Sequence, residues 1–108
     1  MSVTAARGFR AAGVACGLKA SGGLDLSLVA TDDGTAVPAA AVFTANLAPA
    51  APVQVSRGHL ASSGGHAAAV VLSSGNANAA TGAHGLAAAE RMCALVAEEL
   101  QVEPANVL

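Results

Sequence analysis

The chain has 108 residues and a formal net charge of −2, enough for one domain, and its five Lys and Arg residues form no basic stripe suited to nucleic acid. Its hydrophobic content of 54% overstates the core, because 29 residues are alanine and only 25 are leucine, valine or phenylalanine. Since alanine removes little apolar surface from water, we expect a thin core that more polypeptide or a partner must complete.

The first third of the chain has the pattern of two strands joined by a turn. We predict a strand over residues 9–19, kinked at Gly13 and Gly17, followed by a turn at residues 20–23. Every second residue of the next strand is apolar, which places Asp25 on the opposite face. The residues expected to face the core are Leu24, Leu26, Leu28 and Ala30.

Three further extended segments are predicted in the middle of the chain. Residues 37–45 are almost wholly apolar and predict a strand buried on both faces, with Pro38 at its edge or beginning. A loop bracketed by prolines leads to a short strand at residues 53–56. Residues 59–67 form a Gly- and Ser-rich connection, and residues 68–72 predict another buried strand.

The last third contains one long amphipathic helix. Apolar residues recur at helical spacing from Leu86 to Leu100, and the charged residues lie mostly on the other side. Thr81 is expected to cap the start of this helix, and Pro104 is expected to end it. Residues 107–108 predict the start of another strand. Strands followed by a late helix favour an α+β, layered architecture over regular βαβ winding.

The segment between the last predicted strand and the helix, residues 73–82, is the most informative part of the chain. It is rich in small and polar side chains, and a core does not need asparagines at positions 76 and 78. A strand–loop–helix connection places backbone N–H groups where anions bind well. No Gly-Lys-Ser/Thr follows, and the glycines miss the dinucleotide spacing. Taken alone, the loop is interpreted more readily as a structural turn than as a ligand site.

The serine and histidine residues predict neither a hydrolase nor a metal site. Ser74 lacks the G-x-S-x-G elbow of serine hydrolases. The histidines show no helical metal-binding spacing, and we expect them to be exposed in loops. They are His59, His66 and His84.

The acidic pair and the cysteines also have ordinary explanations. Asp32 and Asp33 are adjacent in a predicted turn, so their carboxylates do not converge on one bond and are expected to be solvated. Cys16 and Cys93 lack C-x-x-C spacing and are predicted to be buried thiols in a reducing compartment. The longest apolar runs, such as residues 36–43, are too short to cross a bilayer, and we predict a cytoplasmic protein.

Three blocks of the sequence stand out together: residues 8–19 (GFRAAGVACGLK), residues 42–46 with 50–53 (VFTAN and AAPV), and residues 74–82 (SGNANAATG). They resemble the ornithine acetyltransferase family, also called bifunctional glutamate N-acetyltransferase. Their order and separation are similar to those of the family's N-terminal part, and the likeness covers nearly the whole chain from Gly8 onward. Family members commonly have Asn in place of Ser73 and Cys in place of Ala80, which leaves the acceptor substrate open.

The resemblance implies an N-terminal-nucleophile-like α+β sandwich and an enzyme that cleaves itself between an Ala and a Thr. The exposed Thr becomes the nucleophile of a second subunit, and its free amine acts as the base. The acetyl group passes from N2-acetylornithine to this Thr and then to glutamate, in the cyclic pathway of arginine biosynthesis. A Thr-Gly pair forms the oxyanion hole. No cofactor or metal is implied, and the use of acetyl-CoA as a second donor stays open.

Within this chain, the resemblance implies a supporting role and no catalytic residue. The oxyanion Thr-Gly and the nucleophilic Thr are both expected after Leu108. Thr81 is interpreted as the helix cap and not as the cleavage point, because Gly82 follows where the family has bulky apolar residues. The residues expected beside the substrate are Ser74, Gly75, Asn76 and Asn78.

We therefore predict that residues 1–108 are a partial N-terminal segment of the acetyltransferase α-subunit, without an internal boundary. Its expected partners are the small substrates N-acetylornithine and glutamate, the rest of the α chain and the β chain, in an α/β hetero-oligomer without nucleic acid or membrane. Alone, the segment is expected to fold poorly and to transfer no acetyl group. The alternatives are a free-standing module whose loop holds an anion or an amino acid, and an inactive truncated remnant.

Overall fold

The computed structural model describes residues 2–108 as an α+β arrangement, which confirms the predicted fold class. Two helices pack beside a three-stranded antiparallel sheet, and a pair of two-residue strands lies apart from it. The helices are α1 (Ala51–Ser62) and α2 (Gly82–Leu100). The strands are β1 (Phe9–Val14), β2 (Leu26–Thr31), β3 (Val37–Pro38), β4 (His66–Ala67) and β5 (Ala69–Ser73).

Strand β2 is the centre of the sheet. It pairs antiparallel with β1, where Ala12 lies opposite Leu28, and with β5, where Val71 lies opposite Leu28. Val107 forms a parallel bridge with Ala69 at the other edge of β5. The Leu108 N–H donates to the Ala69 carbonyl at 3.0 Å, and the Val71 N–H donates to the Leu108 carbonyl at 2.9 Å. The prediction of extended structure at residues 107–108 is therefore confirmed.

The core lies between the helices and one face of the sheet, and small residues dominate it. Val107 is the largest side chain that is completely buried. This confirms the expectation of a thin core, since each buried alanine contributes little hydrophobic free energy. The buried cluster consists of Ala30, Ala51, Val55, Ala69, Val71, Ala89, Cys93, Ala97 and Val107.

The opposite face of the sheet is apolar and partly open. The pairing of the strands shows which residues lie on this face: Ala11 of β1 and Val70 of β5 lie on either side of Val29 in β2. Phe9, Val70 and Leu72 are 38–49% exposed. Strand β1 is exposed along its whole length. The prediction that residues 68–72 form a buried strand therefore holds only for alternate residues of β5.

Two of the predicted strands, residues 37–45 and residues 53–56, are wrong. The prolines and alanines in these segments favour a loop and a helix instead. Only Val37–Pro38 is extended and paired within residues 37–45, since Pro38 has no N–H to continue a ladder and the following alanines are poor strand formers. The predicted strand at residues 53–56 lies inside α1. Pro52 stands in the first turn of this helix, where a missing N–H costs no hydrogen bond.

The limits of three other elements differ from the predictions. Strand β1 ends at Val14, five residues before the predicted end, and a loop with Gly17 at φ +91° follows. Residues 59–62 of the predicted connection belong to α1. Helix α2 ends at Leu100 and not at Pro104, because Gln101 adopts the left-handed conformation at φ +57°.

Just before β2, the buried and exposed residues are the reverse of those predicted. Leu24 is 66% exposed, whereas Asp25 is 3% exposed. The carboxylate is drawn inward by backbone N–H groups, as described below, and this outweighs the burial of one leucine. The turn after β1 is confirmed, since the Gly22 N–H donates to the Lys19 carbonyl at 3.0 Å.

Candidate functional site

The loop between β5 and α2, residues 73–82, follows a path that ordinary residues rarely adopt. Gly75 has φ +102° and Gly82 has φ +62°, both in the region that favours glycine. Ala80 has φ +56° although it carries a side chain. Such a path persists only where the surroundings hold it in place.

Asn78 ties this loop to both helices. Its Oδ1 accepts a hydrogen bond from the Thr81 hydroxyl, and its Nδ2 donates to the Gly85 carbonyl at 2.8 Å. Its backbone carbonyl accepts from the Ala51 N–H at the start of α1, at 3.3 Å. Because both ends of the amide are engaged inside the chain, Asn78 shapes the loop and does not offer its side chain to a ligand.

Gly85 makes this arrangement sterically feasible. It is buried in the first turns of α2, on the side that faces the loop. A Cβ atom at this position would overlap the Thr81 Oγ1 and Asn78 Oδ1 atoms. The network therefore requires glycine, even though a glycine inside a helix costs conformational entropy.

Asp25 ties the start of the loop to the segment after β1. Its carbonyl accepts from the Ser74 N–H at 2.8 Å. Its carboxylate accepts from the Cys16 N–H at 2.7 Å and from the Lys19 N–H at 2.9 Å. These N–H groups, that of Cys16 most strongly, hold the pKa of the Asp25 carboxyl well below its usual range, and they offset the cost of removing the charge from water.

Lys19 lies directly against Gly75. A Cβ atom on Gly75 would lie 2.7 Å from the Lys19 Cγ and 3.3 Å from the Lys19 backbone nitrogen. The Lys19 ammonium group donates to the Leu24 carbonyl at 2.8 Å. The first and third blocks of the family resemblance thus meet at one point, where only glycine leaves enough room.

The predicted site residues line two separate clefts. Asn76 and Asn78 face a cleft of about 320 Å³ that Leu18 and Met92 close on the apolar side. Ser74 lines another cleft, of about 350 Å³, together with Asp25. The Asn76 side chain is exposed and makes no hydrogen bond within residues 2–108. Asn76 is therefore the asparagine of this loop that is free to contact a ligand.

Thr81 occupies the cap position of α2 but does not cap it in the usual way. Its hydroxyl accepts no hydrogen bond from a helix N–H. It donates to Asn78 instead. The predicted position is confirmed, and the role of the side chain lies in the loop network.

The prediction for the histidines is confirmed only in part: His66 and His84 are exposed, but all three histidines lie in regular elements and not in loops. His59 lies in α1, half-buried, with its Nδ1 2.7 Å from the Val107 carbonyl. Since a carbonyl only accepts, the Nδ1 carries the proton of this hydrogen bond. His66 lies in β4 and His84 in the first turn of α2, both exposed.

The predicted burial of the cysteines and the predicted exposure of the acidic pair are confirmed, except for the burial of Cys16. Cys93 is buried as predicted, but Cys16 is exposed, and a hydrogen bond with Asp25 raises the pKa of its thiol. Asp32 and Asp33 are exposed in a turn, as predicted, and Asp33 accepts from the Thr35 N–H at 2.9 Å.

Two broader properties follow from the part of the chain that the structure describes. No group of three or more His, Cys, Asp or Glu side chains in residues 2–108 is arranged to hold a metal ion. Neither α1 nor α2 combines the length and the apolar character needed to span a membrane.

Sequence patterns alone did not identify three residues that shape the site. Asp25 stood out only as a charge between two leucines, a pattern that equally fits an exposed strand position. Lys19 acts mainly through its backbone, which no side-chain pattern reports. Gly85 was visible as a glycine inside a predicted helix, a signal of close approach.

Comparison with known proteins places this geometry in context. The model of the ArgJ family matches residues 10–108. The arginine biosynthesis bifunctional protein ArgJ of Gloeobacter violaceus is 47% identical over 106 residues, which cover 98% of this chain and 25% of that protein. The chain thus spans about a quarter of the length of the relatives that it matches.

Two solved structures share the fold over nearly the whole chain. The arginine biosynthesis bifunctional protein ArgJ of Bacillus halodurans superposes with a TM-score of 0.91 at 36% identity, covering 99% of this chain and 54% of that one. The ornithine acetyltransferase of Mycobacterium tuberculosis, solved as a complex with ornithine, superposes with a TM-score of 0.85 at 44% identity. It covers 97% of this chain and 55% of that one.

Proposed function

Because this chain belongs to the ArgJ family, we propose that it forms the N-terminal part of the α-subunit of an acetyltransferase acting in arginine biosynthesis. The intact enzyme moves the acetyl group of N2-acetylornithine to glutamate. The observation that carries this proposal is the match in sequence and fold to the Mycobacterium tuberculosis ornithine acetyltransferase, which was solved as a complex with ornithine.

In this proposal the bond-making residues lie outside residues 1–108. A Thr released by cleavage attacks the acetyl carbonyl of N2-acetylornithine, ornithine leaves, and the acetyl-Thr is then attacked by the amine of glutamate. A Thr-Gly pair donates hydrogen bonds to the oxyanion of each tetrahedral intermediate. Acetyl-CoA is a second candidate donor for glutamate, and the reaction needs no other cofactor.

The contribution of this chain is a fixed wall beside the substrate. Asn76 offers a free amide to the 320 Å³ cleft, while Asn78 and Gly85 hold the backbone around it. Because these contacts form within the chain, the wall is in place before a substrate arrives. Such preorganisation avoids the entropy cost of ordering a loop on binding.

The proposed partners are the rest of the α chain and the β chain of the same precursor. The open, apolar face of the sheet supports this part of the proposal, since Phe9, Val70 and Leu72 leave it partly exposed. Apolar surface of this kind gains free energy when more polypeptide covers it. A cytoplasmic location, as predicted from the sequence, belongs to the same proposal.

A chimera tests the proposed function. Residues 1–108 replace the matching segment of the Mycobacterium tuberculosis enzyme, to which they are 44% identical. We expect the purified chimera to acetylate glutamate when N-acetylornithine is supplied, and residues 1–108 alone to transfer no acetyl group. The unmodified Mycobacterium tuberculosis enzyme is the positive control.

Two results would contradict the proposal. One is a chimera that folds to the size of the parent enzyme and yet transfers no acetyl group. The other is a separate chain of residues 1–108 that unfolds cooperatively and is stabilised by ornithine or an anion, which is the behaviour of a free-standing binding module. Thermal unfolding of the separate chain, with and without these ligands, detects the second result.

A further inference from the structure

We propose that Asp25 is a positioning residue for the Ser73–Gly82 loop and hence for the binding of N-acetylornithine, a role that rests on the proposed function. Asp25 belongs to none of the residues predicted for the site, and it lies outside the loop itself. It is 3% exposed although it carries a charge. A buried charge of this kind requires partners, and the identity of those partners indicates what it does.

The backbone partners of Asp25 lie on the two segments that must meet. The carboxylate binds the N–H groups of Cys16 and Lys19 on one side, at 2.7 and 2.9 Å. The carbonyl binds the N–H of Ser74 on the other side, at 2.8 Å. One residue therefore sets the distance between the segment after β1 and the start of the loop.

The fixed distance has a direct consequence at Gly75. Lys19, held by its backbone, lies so close to Gly75 that no Cβ atom fits without displacement. Leu18, in the same held segment, lines the 320 Å³ cleft together with Asn76. Releasing residues 16–19 would therefore move residues that line this cleft, and we expect this to weaken substrate binding, since in the proposed function none of these residues makes or breaks a bond.

The test uses the chimera defined above, with Asp25→Asn. The amide that replaces the carboxylate keeps the shape but has one acceptor oxygen for two N–H donors. We expect the KM for N-acetylornithine to rise about tenfold, which corresponds to the loss of about one hydrogen bond, with a smaller change in kcat, since the lost contact supports binding of the substrate and transition state alike. Asp33→Asn is the matched control, because Asp33 also accepts from a backbone N–H but lies in an exposed turn. Its KM should stay at the parent value.

A second variant approaches the same contact from the loop. Gly75→Ala places a Cβ atom against Lys19, and we expect a similar rise in KM. In the double variant the two effects should combine to less than their product, because each already disturbs the one contact between Lys19 and Gly75. If Asp25→Asn fails to fold, Gly75→Ala decides when it is combined with Lys19→Ala: relief of the rise in KM supports the contact, and a rise that persists reflects strain at φ +102° and overturns the proposal.

The outcomes separate the proposal from its alternatives. A parental KM in Asp25→Asn, or in Gly75→Ala where that variant decides, would overturn it, as would a loss of kcat that only follows the unfolded fraction. If the parent chimera itself transfers no acetyl group, the proposed function fails, and the melting temperatures still test the link between the segments. A combined shift smaller than the sum of the single shifts supports the link, whereas an additive shift overturns it.

Discussion

Two irregular segments of this chain carry blocks of the family resemblance, and the structure holds them very differently. The Ser73–Gly82 loop is joined to Asp25, α1 and α2 by hydrogen bonds through Ser74 and Asn78. Residues 39–50 are held mainly by the side chain of Arg57 in α1. Its guanidinium lies 5.2 Å from the Phe43 ring centre and donates to the Thr44 carbonyl. Val42 and Leu47 in this second segment are fully exposed.

The difference shows which parts of the proposed site this chain builds by itself. The Ser73–Gly82 loop owes its shape to contacts within residues 2–108, so its geometry belongs to the chain. The shape of residues 39–50 depends on few such contacts, and its exposed apolar side chains suit a surface that other polypeptide covers. The following substitutions in the chimera test this comparison.

The largest loss of stability is expected from Gly85→Ala. The added Cβ atom overlaps Thr81 Oγ1 and Asn78 Oδ1, so the loop network must open, at a cost of about 1–3 kcal/mol. Urea unfolding measures this loss. Gly58→Ala is the matched control, because Gly58 lies in α1 with no atom within 4 Å of an added Cβ, and it should stabilise the chimera by about 0.5–1 kcal/mol. Equal effects at the two glycines would contradict the network.

Asn78→Ala is expected to have the next largest effect. It removes a hydrogen bond to the Gly85 carbonyl and the acceptor of the Thr81 hydroxyl in a partly buried place, and should destabilise by about 1–2 kcal/mol. The Asn46 side chain in the other segment makes only a local hydrogen bond, which it accepts from the Ala48 N–H. Its replacement by Ala should cost less than about 0.5 kcal/mol in the same urea titration. A reversed order of the two asparagines would refute the comparison.

A smaller effect is expected at the anchor of residues 39–50. Arg57→Ala removes the contact with the Phe43 ring, which at an exposed site contributes about 0.5–1 kcal/mol. Arg91→Ala, on the exposed side of α2, serves as the control and should change the stability by less than about 0.5 kcal/mol. A loss at Arg57 as large as that at Asn78 would show that both segments are held equally well.

The smallest effect is expected in the pH dependence of stability. The folded state lowers the pKa of Asp25, so its stabilisation is present above the ordinary Asp pKa of about 3.9 and is lost as the pH falls through the lower, folded value. The urea midpoint of the parent chimera should therefore fall more steeply below about pH 5 than that of the Asp25→Asn variant. Parallel curves would mean that the carboxylate is not held as described.

The sequence predicted the parts of the fold that follow from periodicity, and it missed those that depend on backbone partners. Helix α2 and strand β2 repeat at the spacing of their elements, and β5 was predicted from an uninterrupted apolar run. Helix α1 was missed because Pro52 was interpreted as a loop signal, although the first turn of a helix tolerates proline. The burial of Asp25 was missed because its partners, the N–H groups of Cys16 and Lys19, carry no sequence signature.

The candidate site, too, was predicted from the sequence only in part. The position of the loop and of Thr81 followed from the pattern of a strand, a polar stretch and a helix. The separate roles of Asn76 and Asn78 did not, since both are asparagines in the same loop. Only the contact of Asn78 with Gly85, seven residues further along the chain, assigns one to the framework and leaves the other free.

Amide hydrogen exchange of the parent chimera tests the central claim, that this chain itself fixes the Ser73–Gly82 loop through Asp25 and Asn78. The account predicts that the N–H groups of Cys16, Lys19 and Ser74 exchange at least about tenfold more slowly than in an unfolded chain, because each is hydrogen-bonded to Asp25. It predicts that the N–H groups of Cys16 and Lys19 lose part of this protection in Asp25→Asn, because one amide oxygen replaces the two carboxylate acceptors, and that they keep it in Asp33→Asn. Exchange at unfolded-chain rates in the parent would contradict the account.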